Sequence, residues 1–152
     1  MSYRTKMLIP ILGLLIVIGY ATIRIASGND DIKQPLPATL NNLAELRSIE
    51  IRDADGQVVL TGSFSDTTDV GGEKERFAQL SPTSVDADAK GAAEIEIKTR
   101  AGATAEQELE INVERLAAGA TFKVFIDGQE ITSFTTDARG EAELEMSNEP
   151  SK

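Results

Sequence analysis

Carboxylates are the one class of reactive side chain present here in quantity, and they fall in runs of alternating pattern. Glu94 and Glu96 interleave with Ala93, Ile95 and Ile97. Glu108 and Glu110 interleave with Leu109 and Ile111, and Glu141, Glu143 and Glu145 with Ala142, Leu144 and Met146. Paired carboxylates can perform acid–base work, as on glycosidic bonds, but that needs a cleft and one carboxyl with a raised pKa. Side chains two apart on a strand leave the same face, so these glutamates are expected on wet strand faces. Like charges directly opposite each other cost a few tenths to about 1 kcal/mol per pair. Solvation, and interleaving by Lys98, Arg100, Arg115 and Lys123, make such a face tolerable. It discourages edge-to-edge aggregation and also suits a basic partner.

Other acidic groups invite a metal reading. Asp53-Ala-Asp-Gly56 has the start of a calcium loop, but Ile51 and Gly62 stand where an EF-hand needs ligands, so a plain turn is expected. Asp66, Asp69 and Glu73 lie in the polar stretch 65–74 and offer hard oxygen ligands without a recognisable spacing. The chain has no His, no Cys and no Trp. Without His there is no Ser-His-Asp triad and no common general base, and zinc loses both preferred ligand types. Without Cys there is neither a disulfide framework nor thiol catalysis. After the first 28 residues the only aromatics are five phenylalanines, a poor basis for sugar stacking. No catalytic, cofactor-binding or metal residue is therefore assigned, no cofactor is expected, and the inventory points away from an enzyme.

Charge divides the chain. Three of the 15 basic residues, Arg4, Lys6 and Arg24, precede Gly28; the other 12 share the remainder with all 25 acidic residues, a net of −13 there. That field repels phosphates, so nucleic acid is not an expected partner of the domain. Met7 to Ile23 is an uncharged apolar run. As a helix it spans roughly 25 Å, and extension to Ser27 with Arg24 snorkelling would bring it to the thickness of a bilayer core. The basic residues before it place the N-terminus in the cytoplasm and the rest outside. A retained signal anchor over 7–27 is expected; the alternative is a signal peptide cut near Gly28, with Ala26 and Gly28 as the small residues before the cut. The expected organisation is a basic segment 1–6, the anchor 7–27, a spacer 28–46 containing Pro35 and Pro37, a β domain 47–147 and a tail 148–152. Within the spacer, Leu40, Leu43, Ala44 and Leu46 allow one or two helical turns capped by Thr39.

The elements that must position the glutamates are strands. Period-two alternation predicts them near 47–53, 57–64, 75–80, 92–99, 105–115, 121–127, 129–136 and 141–147. One wet face per strand favours antiparallel pairing. Asp127-Gly128 marks a two-residue hairpin. Asp-Ala-x-Gly recurs at 53–56, 88–91 and 137–140, each read as a turn; 100–104 and 117–121 supply two more. Seven or eight short strands at this spacing predict an all-β antiparallel sandwich, immunoglobulin-like or transthyretin-like, with an up-and-down barrel as the alternative.

The stretch from Glu114 to Met146, ERLAAGATFKVFIDGQEITSFTTDARGEAELEM, resembles a pattern of small uncharacterised bacterial exported β-domain proteins. Its last part, FTTDARGEAELEM, is similar to the Thr-Asp-x-x-Gly turn of transthyretin-like carboxypeptidase-regulatory domains, although the strand that usually follows is missing. Neither resemblance implies an activity or a functional residue.

The resulting expectation is a membrane-anchored, extracytoplasmic β-sandwich acting as a binding or structural module of a bacterial envelope. The membrane is met through the N-terminal helix and an envelope protein is the expected partner; no small-molecule substrate is indicated. Two alternatives stand beside it: a secreted domain released near Gly28, and a minimal carboxylate-dependent hydrolase or lyase.

Overall fold

The computed structural model describes residues 32–99 and 105–148. Ten strands run through them: β1 (Ile32–Pro35), β2 (Ser48–Arg52), β3 (Val58–Ser63), β4 (Thr68–Val70), β5 (Glu73–Pro82), β6 (Lys90–Lys98), β7 (Glu106–Glu114), β8 (Thr121–Ile126), β9 (Gln129–Thr135) and β10 (Ala142–Ser147). The expected anchor, the turn at 100–104 and most of the tail lie outside the described residues.

The all-β class is as expected, but the architecture is not two stacked sheets. The strands form one mixed sheet in the order β1-β10-β7-β6-β5-β3-β2-β8-β9, with β4 attached to β5. Every ladder is antiparallel except β1 with β10. The sheet curls until its end strands approach, and Thr132 of β9 donates to Gln34 Oε1 of β1 at 2.8 Å across the seam. The result is nearly a barrel.

The sandwich expectation fails on β5. Its first eight residues pair with β6, while Ser81 and Pro82 at its end pair with Thr61 and Leu60 of β3. One long strand thus carries the ladder round a corner where a sandwich would have a gap. The corner is tight enough to require glycine: a Cβ on Gly62 would meet the Gln79 carbonyl oxygen at 2.7 Å.

The inward residues form a single apolar core from Leu40 to Met146. Alternation places most of them, including Ile49 and Ile51, Ile95 and Ile97, and Leu109, Ile111 and Val113. In β3 it slips: the register shifts between Ile51 and Arg52, so adjacent Val59 and Leu60 are both buried. All eight expected strands are present within two residues, and β1 and β4 are additional. From Ile32 onward the segment expected as a spacer contributes β1 and buries Leu40, Leu43 and Leu46. Its helical turn is a 3-10 turn, Leu43–Glu45, capped by Asn42 and not Thr39; Asn42 Oδ1 accepts from the Ala44 N–H at 3.2 Å.

Arg76 points inward from β5 and fixes that segment. Its Nη1 donates to the carbonyls of Leu43, Ala44 and Leu46, and its Nε to that of Ser65 at 2.9 Å. Two of the three Asp-Ala-x-Gly turns form with the same geometry. Asp53 Oδ1 accepts from the N–H of Asp55 and Gln57, and Asp137 Oδ1 from those of Arg139 and Glu141. The third does not form. Ala89 is buried, Gly91 pairs inside β6, and the turn instead precedes it, with the Ala89 N–H bonded to the Asp86 carbonyl. Asp127-Gly128 closes β8 and β9 as expected, with φ of 49° and 82°, the type I′ pattern.

Candidate functional site

The glutamates converge on the outer face of β5, β6, β7 and β10. Register sets two rows across the strands. Glu75, Glu96 and Glu108 are successive cross-strand partners, and Ser147 continues the row. Glu94, Glu110 and Glu145 form the next row, ended by Lys33. Glu106, Lys98 and Glu73 form a third beside them.

The rows are under electrostatic load. Partial burial first, then Glu110, Glu75 and Glu96, push the Glu94 carboxyl above the ordinary range. Glu108 is raised by burial, then by Glu145, Glu96 and Glu110, with Lys98 acting in the opposite sense. Two cations relieve the wall locally. Lys98 bonds Glu96 at 3.0 Å, and that bond is the main reason its own pKa is raised. Lys33 bonds Glu145 at 2.6 Å.

The expected glutamates divide on contact with the structure. Glu94, Glu96, Glu108, Glu110 and Glu145 share the wall, and Glu143 pairs with Asn112 at its margin. Glu141 falls in the turn before β10, where its N–H caps Asp137. Of the expected interleaving cations within the described residues, Lys98 alone joins the rows. Arg115 ends β7 with φ 61°, and Lys123 pairs with Glu130 on β8–β9. Glu73 and Glu75 are wall residues that the alternation understated: they have the parity opposite to buried Ala78 and Leu80, which was the available signal.

The calcium readings change as well. Asp53 spends its carboxylate on its own turn, including a bond from Gln57 Nε2 at 3.2 Å. The polar stretch 65–74 is no open loop, because β4 folds back on β5 through Gly71 and Gly72. Among the described residues, the group whose carboxylate oxygens lie within 4.8 Å of one another is Glu73, Glu75 and Glu96, so Asp66 and Asp69 are not part of it. Three oxygens would fill at most half of a calcium shell of about 6–8 ligands.

Concavity lies elsewhere. An open groove of about 760 Å³ runs between residues 39–48 and Asp127. Its aspartate is occupied: the Asp127 carboxylate accepts from the N–H groups of Arg47 and Ser48 and from Ser48 Oγ. A crevice lined by Glu96, Lys98, Glu106, Gln107, Glu108 and Ser147 holds about 40 Å³, the room of a water and not of a substrate. Comparison with protein-family models, with curated proteins and with solved structures gives no match to this chain.

Proposed function

We propose that this chain is a membrane-tethered β module on the outer side of a bacterial membrane, serving the envelope by binding or structure and not by catalysis. The observation that carries the reading is the glutamate wall: the charged groups are gathered on a broad outer sheet face. The one carboxyl of raised pKa beside a crevice, Glu108, has room there for only a water. A face of this kind recognises by area and charge, and its complement is a basic protein surface. Support for the tether comes from the order of the chain. The apolar run ends at Ile23 and β1 begins at Ile32, so eight intervening residues reach at most about 30 Å. The acidic field keeps the domain soluble beside anionic headgroups.

The test is photo-crosslinking in membranes, with the probe placed on the wall at Ala92 or on the outer face of the other half of the sheet at Thr61. A discrete adduct from position 92, lost when Glu96 and Glu108 become lysine, supports the reading. Equal labelling from both positions sinks it. Release near Gly28 is a second reading, because a cut there would leave β1 whole. An intact mass lacking the first 28 or so residues would establish it and end the tether.

A further inference from the structure

The edge of the sheet formed by β1 is fastened unlike the rest. It is four residues long, holds the one parallel ladder among the described strands, and buries neither of its inward residues, Ile32 and Gln34, fully. Its ladder is supplemented by the Lys33–Glu145 ion pair, the Thr132–Gln34 bond, the Leu36 N–H donated to the Ser147 carbonyl at 2.8 Å, and the packing of Ile32 and Leu36 against the core. All lie at the surface or are half-buried. Just beyond Pro37 the chain changes character. Leu40, Leu43 and Leu46 are in the core, and Arg76 grips the carbonyls between them. Pro35 and Pro37 separate a lightly held segment from a firmly held one.

We propose that residues 32–36 are a releasable strap that guards the β10 edge and opens without unfolding the core. When it lifts, the seam loses its Gln34 bridge, and the backbone groups of β10 that faced β1 are left unpaired. The residues that stay, from Leu40 onward, keep the core closed beneath it. The inference concerns the domain alone and stands whether or not the chain is tethered.

Hydrogen exchange on the full-length protein in detergent tests it. Residues 32–36, and those amides of 144–147 that face β1, are expected to exchange by local opening, at least about tenfold faster than the paired amides of β6 and β7. The chain has no native cysteine, so Lys33→Cys with Glu145→Cys gives a single reversible lock. Adjacent strands lie about 4.8 Å apart, within disulfide range. Oxidation is expected to slow exchange in 32–36 and in the β1-facing amides of 144–147 by about tenfold or more and leave β6 and β7 unchanged, and reductant to restore it. Gln34→Ala provides an independent arm in which 32–36 exchange a few-fold faster over an unaltered core. The proposal is overturned if 32–36 exchange as slowly as β6 and β7, if they exchange like unstructured chain, or if the lock leaves their exchange unmoved.

Discussion

The two halves of the sheet solve the same problem in opposite ways. In β2, β3, β8 and β9 the charges of the wet face are neutralised where they stand. Glu50 bonds Arg52 at 2.6 Å, Arg52 lies 4.2 Å from the Phe125 ring centre, and Lys123 meets Glu130 at 3.3 Å. In β5, β6, β7 and β10 carboxylates face carboxylates, and Lys98 and Lys33 answer only some of them. Both halves share one core, so the difference is not a requirement of folding. It teaches that one core can carry two kinds of wet face, one of them holding like-charge repulsion at the expense of a little stability.

The strongest way to break the comparison is to attack the joint. Gly140 closes the turn from β9 to β10, between the halves, and a Cβ there would collide with the Leu116 backbone. Its twin Gly56 has open space and the same positive φ, 82° against 79°. Gly140→Ala is expected to cost about 3 kcal/mol or more and Gly56→Ala about 1 kcal/mol, measured by denaturant unfolding. Equal losses would mean that the joint carries no special constraint. Next in size, Arg76→Met strips donors from carbonyls of the 43–46 segment and should cost about 2–3 kcal/mol. Exchange should rise first at residues 43–47.

Neutralising single charges sharpens the contrast. Glu94→Gln or Glu108→Gln should stabilise the fold by a few tenths to about 1 kcal/mol, while Glu50→Gln should destabilise it by a few tenths. The same sign from both halves would erase the distinction. The subtlest test is pH. Glu94 and Glu108 have folded pKa values above the ordinary carboxylate value, so the fold binds their protons more tightly than the unfolded chain does. Their contribution falls away as pH rises through the raised folded values, so mild acidification from neutrality should increase stability. Asp137 runs the other way: the N–H of Glu141 leads the groups that lower its pKa, and its contribution is lost as pH falls below the usual aspartate value through the lowered one. Glu94→Gln with Glu108→Gln should flatten the first change and Asp137→Asn the second. A stability curve unaltered by either would contradict both assignments.

Much of this was legible in the residues. Alternation located eight strands, because each has one wet and one dry face. Asp127-Gly128 and two Asp-Ala-x-Gly turns announced themselves through φ requirements. The third tetrad misled because Ala89 and Gly91 are wanted by the core and by the close packing of Gly91 against Leu80 and Asn112, which local turn chemistry cannot register. β1 was hidden by Pro35 within it, by Pro37 just beyond it, and by a partner more than a hundred positions away. Curling of the sheet depended on β5 pairing on both sides, a property of length and register and not of composition. Arg76 gave no signal, since its partners are backbone carbonyls with no sequence signature.

The pairing of β1 with β10 also has a meaning in time. Lys33 and Glu145 stand 112 positions apart, yet they are neighbours in one ladder. During synthesis β1 emerges early and must wait for nearly every other strand before its own partner exists. The half-sheet of β5, β6 and β7 likewise lacks its next neighbour until β10 appears. β2 and β3 can pair as soon as both exist, but the sheet is completed only when β10 joins β7 and β1, so its last pairing is its longest-range one.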